Sequence, residues 1–278
     1  MRAHQLATAA VAALSAAAVM AAGMQVARAQ EGTVRLHAAG SLRPALTELG
    51  QAFTAAQGIK VQAQFGASGL LRQRLDDGEP GDVYASADMG NPQALARAGK
   101  AWPVAVFARN RLCALVRPGL EVTPGTVLTT MLAPGTRLGT STPGNDPAGD
   151  YAWQVFARAE QVQPGARAAL QAKALKLTGA ADAPPPPPGR SVYAWHLLEG
   201  RADLFLAYCT AGREAAAEAP GIGVVELPPA LAVGAEYGLT TLRTANAPVA
   251  LPFVLYVLSA EGQAILARYG FDAPLMPK

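Results

Sequence analysis

Three stretches of this sequence share one local design: a strand, a tight turn of small residues, then a helix. The first is His37-Ala38-Ala39-Gly40-Ser41-Leu42-Arg43-Pro44, and the second is Phe65-Gly66-Ala67-Ser68-Gly69-Leu70. The third runs from Thr140 through Asp146-Pro147-Ala148-Gly149-Asp150 to Tyr151. Ser41 stands where an N-cap is expected, and Pro44 falls in the first helical turn, where its missing N–H costs nothing. Ser68 occupies the equivalent place in the second stretch. A helix N-terminus presents free N–H groups and the positive end of a dipole, so turns of this kind can hold an anion without a lysine. Glycine and alanine let the backbone come close to a ligand, and the Ser41 and Ser68 hydroxyls would add donors. Taken singly, each serine also reads as an ordinary cap. Only convergence in space would make them one site.

Other chemistries find little support. His4 lies in the N-terminal segment treated below, His37 lacks a nucleophile-elbow motif with Ser41, and His196, on an expected helix, reads as a surface or capping residue. Neither a Walker loop nor H-E-x-x-H occurs, and zinc needs about four ligands that no His or Cys pair supplies. The chain carries a formal net charge of +3 with its basic residues scattered, which argues against the concentrated basic face that nucleic acid requires. A catalytic role and a cofactor are therefore not expected. Cys113 and Cys209 are the only cysteines, and an even count suits either a disulfide or two buried thiols.

The elements that must position the three turns alternate. Strands are expected at 33–38, 60–65 and 82–87, with helices at 42–57, 70–77 and 92–98 between and after them. A second series follows Trp102-Pro103: strands at 112–117 and 137–140, helices at 148–160, 164–175 and 191–199, then strands at 204–208, 224–227 and 237–243. The segment 251–258 reads as a buried strand or core helix, and a helix at 259–269 closes the chain. Strand–helix alternation with short loops predicts mainly parallel sheets covered on both faces. In such sheets helix N-termini gather at the carboxyl edge, where ligands bind. The five prolines from Pro184 to Pro188 are expected to form an extended surface loop.

The first residues read as a targeting segment. Arg2 gives a positive start, Leu6 to Ala22 is an apolar run, and Ala27-Arg28-Ala29 is the small-x-small pattern of a cleavage site. A cut after Ala29 would deliver the chain to the periplasm and leave it a net charge near +1, since Arg2 and Arg28 depart.

In their order and spacing several motifs together resemble the molybdate-binding proteins of ABC importers, within the type II periplasmic solute-binding proteins. They are Ala38-Ala39-Gly40-Ser41-Leu42, Phe65-Gly66-Ala67-Ser68-Gly69-Leu70-Leu71-Arg72-Gln73, Gly81 to Asp88, Asp146-Pro147-Ala148-Gly149 with Tyr151, Gly200 to Tyr208, and Glu261 to Phe271. The resemblance implies an α/β fold of two lobes, 30–105 with 241–278 and 106–240, joined by two strands near 103–108 and 236–243. It implies a monomer that captures molybdate or tungstate in the cleft and presents it to a membrane permease. Sulfate, phosphate or an organic acid on the same scaffold is the alternative, with a periplasmic enzyme or sensor subunit further off. The implied ligand set is Ser41 and Ser68 through their hydroxyls, Ala148 and Val192 through backbone N–H groups, and Tyr208 through its phenol. It also lays 112–117 antiparallel beside 204–208, which would bring Cys113 and Cys209 together as a disulfide. Two departures stand out: Asp150, whose carboxylate would repel an anion unless turned away, and Cys209-Thr210-Ala211-Gly212 after Tyr208, where an acidic residue is expected.

Overall fold

A computed structural model describes residues 32–274; the expected targeting segment and its cleavage site lie outside them. The first half opens with β1 (Thr33–Ala39), a 3-10 turn at Gly40–Leu42 and α1 (Arg43–Gln57). Then come β2 (Lys60–Gly66), α2 (Ser68–Asp76), β3 (Val83–Ser86) and α3 (Gly90–Arg97). The long β4 (Ala105–Val116) leads to α4 (Val127–Leu132), β5 (Leu138–Ser141), α5 (Pro147–Val162), α6 (Ala166–Lys173) and β6 (Leu175–Thr178). After the proline run come α7 (Val192–Leu198), β7 (Leu204–Tyr208), α8 (Cys209–Glu218), β8 (Gly223–Glu226) and β9 (Gly234–Thr241), and the chain closes with α9 (Ala247–Leu258) and α10 (Ala260–Arg268).

The strand order is β2-β1-β3-β9-β4-β7-β5-β6, with β8 also on β4. Parallel pairs β1–β2 and β1–β3 form one half, and β5–β6 and β5–β7 the other. Between them β4 and β9 run antiparallel to each other and to their outer neighbours. The α/β class is as expected, with a mixed sheet. Within β4, residues 109–111 lay outside the expected strands, which were 103–108 from the resemblance and 112–117 from the apolar pattern. Arg109, Asn110 and Arg111 interrupt its apolar run, and only pairing with β9 keeps them extended.

Burial explains the pattern. Strand β1 is buried along most of its length because helices cover both faces. Strand β2, at the edge, alternates between part-buried and exposed residues. Leu46, Leu49 and Phe53 of α1 fill the core, and the Phe53 ring meets Phe253 of α9 edge-on at 5.2 Å. Gly58 ends α1 in the left-handed conformation. The 251–258 segment is thus part of a helix, with Val249, Ala250, Phe253 and Val257 buried. Among the described residues no single helix is long and apolar enough to cross a membrane. Segment 164–175 divides: the helix stops at Lys173, and Leu175 begins β6, where the β5 edge offers a parallel partner. Helices α4 and α8 were not expected.

His196 corrects the surface reading. It is buried, stacked on Phe205 and beside Trp195. Burial lowers its basicity, assisted by the Arg201 charge, and so keeps the ring neutral.

Asp203, just before β7, ties the second half together. It accepts hydrogen bonds from Arg137 at 2.7 and 2.9 Å and from Arg117 at 2.8 Å. The Arg137 hydrogen bond is the main reason its carboxyl sits far below the usual range. Because the folded value is depressed, this stabilisation is present above the unfolded value near ~4 and is lost as pH falls through the folded value. Both arginines are substantially exposed, so solvent screening keeps the contribution small. We expect Asp203→Asn to lower the denaturant midpoint at pH 7 and to make stability less sensitive to acid below pH ~4. An unchanged acid limb in a denaturant–pH series would refute that role.

Candidate functional site

The carboxyl ends of β1 and β2 open into a cleft of about 480 Å³. Its walls include Ser41, Ala67, Asp146, Thr178, Val192 and Tyr208. Of the five residues expected to hold the ligand, the structure brings Ser41, Val192 and Tyr208 to this cleft. Ser68 and Ala148 are buried behind it and already have protein partners.

Ser41 is not the N-cap expected from sequence. The 3-10 turn at Gly40–Leu42 intervenes, α1 starts after Leu42, and Pro44 sits in its first turn as expected. The released Ser41 Oγ lies 3.0 Å from the Tyr237 hydroxyl. Asn110 Nδ2 donates to the same Tyr237 oxygen at 3.3 Å and to Thr210 Oγ1 at 2.9 Å. Burial raises the Tyr237 phenol well above its ordinary range, so it keeps its proton. With Asn110 donating to its oxygen, Tyr237 can donate to Ser41 and leave the serine hydroxyl free to donate into the cleft. The Asn110–Tyr237–Ser41 chain thus orients a neutral donor. Sequence gave no hint of it, because its members lie on β4, β9 and the first turn.

Ser68 also proves not to be a cap: Ala67 holds that position and Ser68 is the first helical residue. Its Oγ accepts from Ala87 N at 3.1 Å and its carbonyl accepts from the Tyr84 hydroxyl at 2.7 Å. The neighbouring Ala67 lines the cleft.

In the third turn the N-cap is Asp146. Its Oδ1 accepts from Ala148 N at 3.2 Å and its Oδ2 from Ser141 Oγ at 2.6 Å. Burial pushes this carboxyl up, with Asp150 and Asp88 adding to the effect. Gly149 is required next to it, since a Cβ would fall 2.6 Å from Pro143 N. Asp150 is turned away from the cleft: its Oδ1 accepts from Gly144 N at 2.9 Å, and it lines a separate recess with Asp88 and Glu236. Of the two carboxyls in this turn, Asp146 is therefore the one that lines the cleft. Its place in the resembling motif was legible, but its orientation depends on Ser141.

Val192 opens α7, capped by Ser191. Prolines 184–186 form a neighbouring rim, so the surface loop also shapes the cleft. The Tyr208 phenol, kept protonated by burial, donates to the Ala87 carbonyl at 3.3 Å and so spans the two halves. A second bridge runs from Gly69 N to the Asn145 carbonyl at 2.8 Å. A Cβ on Gly69 would lie 2.6 Å from that oxygen and 2.7 Å from the Gly144 carbonyl. Gly69→Ala should therefore force the halves apart and weaken ligand binding several-fold. Titration together with small-angle scattering tests this; unchanged affinity and radius would exclude the contact as a determinant of closure.

Cys113 and Cys209 are joined by a disulfide, with Cα atoms 4.9 Å apart. The antiparallel pairing of β4 with β7 sets Cys113 opposite Ala207, and Cys209 comes within its reach where the chain turns from β7 into α8. Cys209 is the first residue of α8, directly after the cleft tyrosine.

Comparisons agree with this architecture. An uncharacterized protein of Pasteurella multocida is 34% identical over 207 residues, 74% of this chain and 86% of that protein. The periplasmic molybdate-binding protein of Azotobacter vinelandii superposes with a TM-score of 0.72 at 21% identity, covering 87% of this chain and all of that one. The sulfate-binding protein SubI of Mycobacterium tuberculosis gives 0.71 at 19% identity, covering 87% of each. These two structures establish likeness of fold alone. Residues 34–272 match the family described as bacterial extracellular solute-binding protein, and the chain belongs to it.

Proposed function

We propose that this protein captures a solute bearing an oxyanion group in the cleft and hands it to the permease of an ABC importer. The observation that carries this reading is the gathering of Ser41, Val192 and Tyr208, from three separate elements, around one cleft. Ser41 is a neutral donor, Tyr208 becomes one when its proton turns from the Ala87 carbonyl to the ligand, and the Val192 N–H opens a helix, so an anion could be held by dipoles without a formal countercharge. In this reading the two halves of the sheet act as lobes, 30–105 with 241–278 and 106–240, flexing where β4 and β9 cross. Export by cleavage after Ala29 and action as a monomer complete the proposal, and the chain performs no reaction on its ligand.

Molybdate and tungstate are the bare oxyanions to which the family resemblance leads, and the fold likeness to a sulfate-binding protein puts sulfate beside them. Calorimetric titration of ligand-stripped protein with all three is the direct test. One-to-one binding that is weakened at least about tenfold in Ser41→Ala supports capture at this cleft. Binding of equal strength in wild type and Ser41→Ala would place the ligand elsewhere and overturn the proposed site.

A further inference from the structure

The cleft has more than a bare tetrahedral oxyanion requires. The two halves already touch through Gly69–Asn145 and Tyr208–Ala87, yet about 480 Å³ remains between them. That volume lies in the range of roughly 300–1,000 Å³ typical of pockets that enclose small organic molecules. Its polar groups are also of both kinds. Arg43 stands at the rim with its guanidinium 4.7 Å from the centre of the Phe65 ring. Against it stand two carboxyls, Asp146 on the inner wall and Glu214 at the mouth. Thr178 lies on the same wall, more than nine-tenths buried, with a hydroxyl that has no hydrogen-bond partner.

A fully deprotonated oxyanion can only accept hydrogen bonds, so each carboxylate in its cavity repels it. The same carboxyls can accept from a ligand that brings hydroxyl donors: Glu214 is exposed, and each Asp146 oxygen keeps a lone pair beyond its bond to Ser141 or Ala148. The Thr178 hydroxyl is buried and unpartnered, which costs free energy until a partner reaches it. We infer that the cleft takes an oxyanion carried on a small organic body with its own hydroxyl donors, a phosphate ester of a short polyol, with the body directed toward Asp146, Thr178 and Glu214. This rests on the oxyanion reading above. The oxyanion group would sit near Ser41, Tyr208 and Arg43, and Phe65 with the proline rim would flank the carbon skeleton.

The test is the sign of the effect when a carboxyl is neutralised. Glycerol 3-phosphate, inorganic phosphate and molybdate are titrated calorimetrically into wild type, Asp146→Asn and Glu214→Gln at one pH. Glu214 is exposed at the mouth, so its variant keeps the test valid if Asp146→Asn, which alters a helix cap, does not fold. Wild type should bind glycerol 3-phosphate at least about tenfold more tightly than molybdate or inorganic phosphate, a difference of ~1.4 kcal/mol. Glu214→Gln should weaken glycerol 3-phosphate several-fold and leave molybdate unchanged or tighter. Molybdate binding more tightly than glycerol 3-phosphate, or Glu214→Gln tightening all ligands alike, would overturn this inference and leave oxyanion capture intact. Failure of all three to bind wild type would overturn both.

Discussion

Reduction of the Cys113–Cys209 disulfide will lower the thermal midpoint of this protein by about 10–15 °C. The bridge closes a sequence separation of 96 residues. In the chain-entropy account a loop of about 100 residues contributes ~4.7 kcal/mol by restricting the unfolded chain, and a domain of this size loses roughly 2–4 °C per kcal/mol. Scanning calorimetry with and without a phosphine reductant measures the shift. The Cys113→Ala/Cys209→Ala double variant should reproduce it without leaving a reactive thiol. Equal midpoints in all three samples would show that the sheet holds these strands unaided. A second consequence is local: Cys209 starts α8 immediately after Tyr208, so its loss should also loosen the phenol that spans the cleft to Ala87. Ligand affinity should therefore fall on reduction at temperatures where the fold is still intact.

Ser41→Ala is expected to weaken oxyanion binding ten- to a hundred-fold, ~1.5–3 kcal/mol, because it removes a donor to a desolvated anion. Tyr237→Phe provides the control that separates donation from mere bulk. It leaves the Ser41 hydroxyl in place but removes the proton that Tyr237 can give it, along with the oxygen on which Asn110 Nδ2 donates. We expect a smaller loss, roughly five- to tenfold, since the serine survives but is no longer held in one orientation. Calorimetric titration of both variants against one oxyanion checks the order. Tyr237→Phe weakening binding more than Ser41→Ala would mean that the phenol, and not the serine, carries the interaction.

Much of the frame could be read before any coordinates. The alternation of apolar runs with small-residue turns established the α/β class, most strand positions and the three turns, because these follow from local periodicity and from what glycine and proline permit. The resemblance carried by the turns and by 200–208 led to the solute-binding family and to the Cys113–Cys209 neighbourhood. Residues whose character contradicts their setting were not legible. Arg109 to Arg111 look like a loop until β9 pairs with them, and His196 looks like a surface residue until Phe205 and Trp195 enclose it.

Sequence alone determined that three helix-opening turns exist and what each could donate. Tertiary structure decided which of them face a ligand. Ser41 was freed from capping by one extra 3-10 turn and taken up by Tyr237 from β9. Ser68 and the Ala148 N–H were committed to Ala87 and Asp146. Asp150 was turned aside by Gly144, while Asp146 was brought to the cleft wall. The physical reason is the same in each case: a hydrogen-bonding group takes the nearest partner that burial leaves it, and partners up to 196 residues away come near only when the sheet closes.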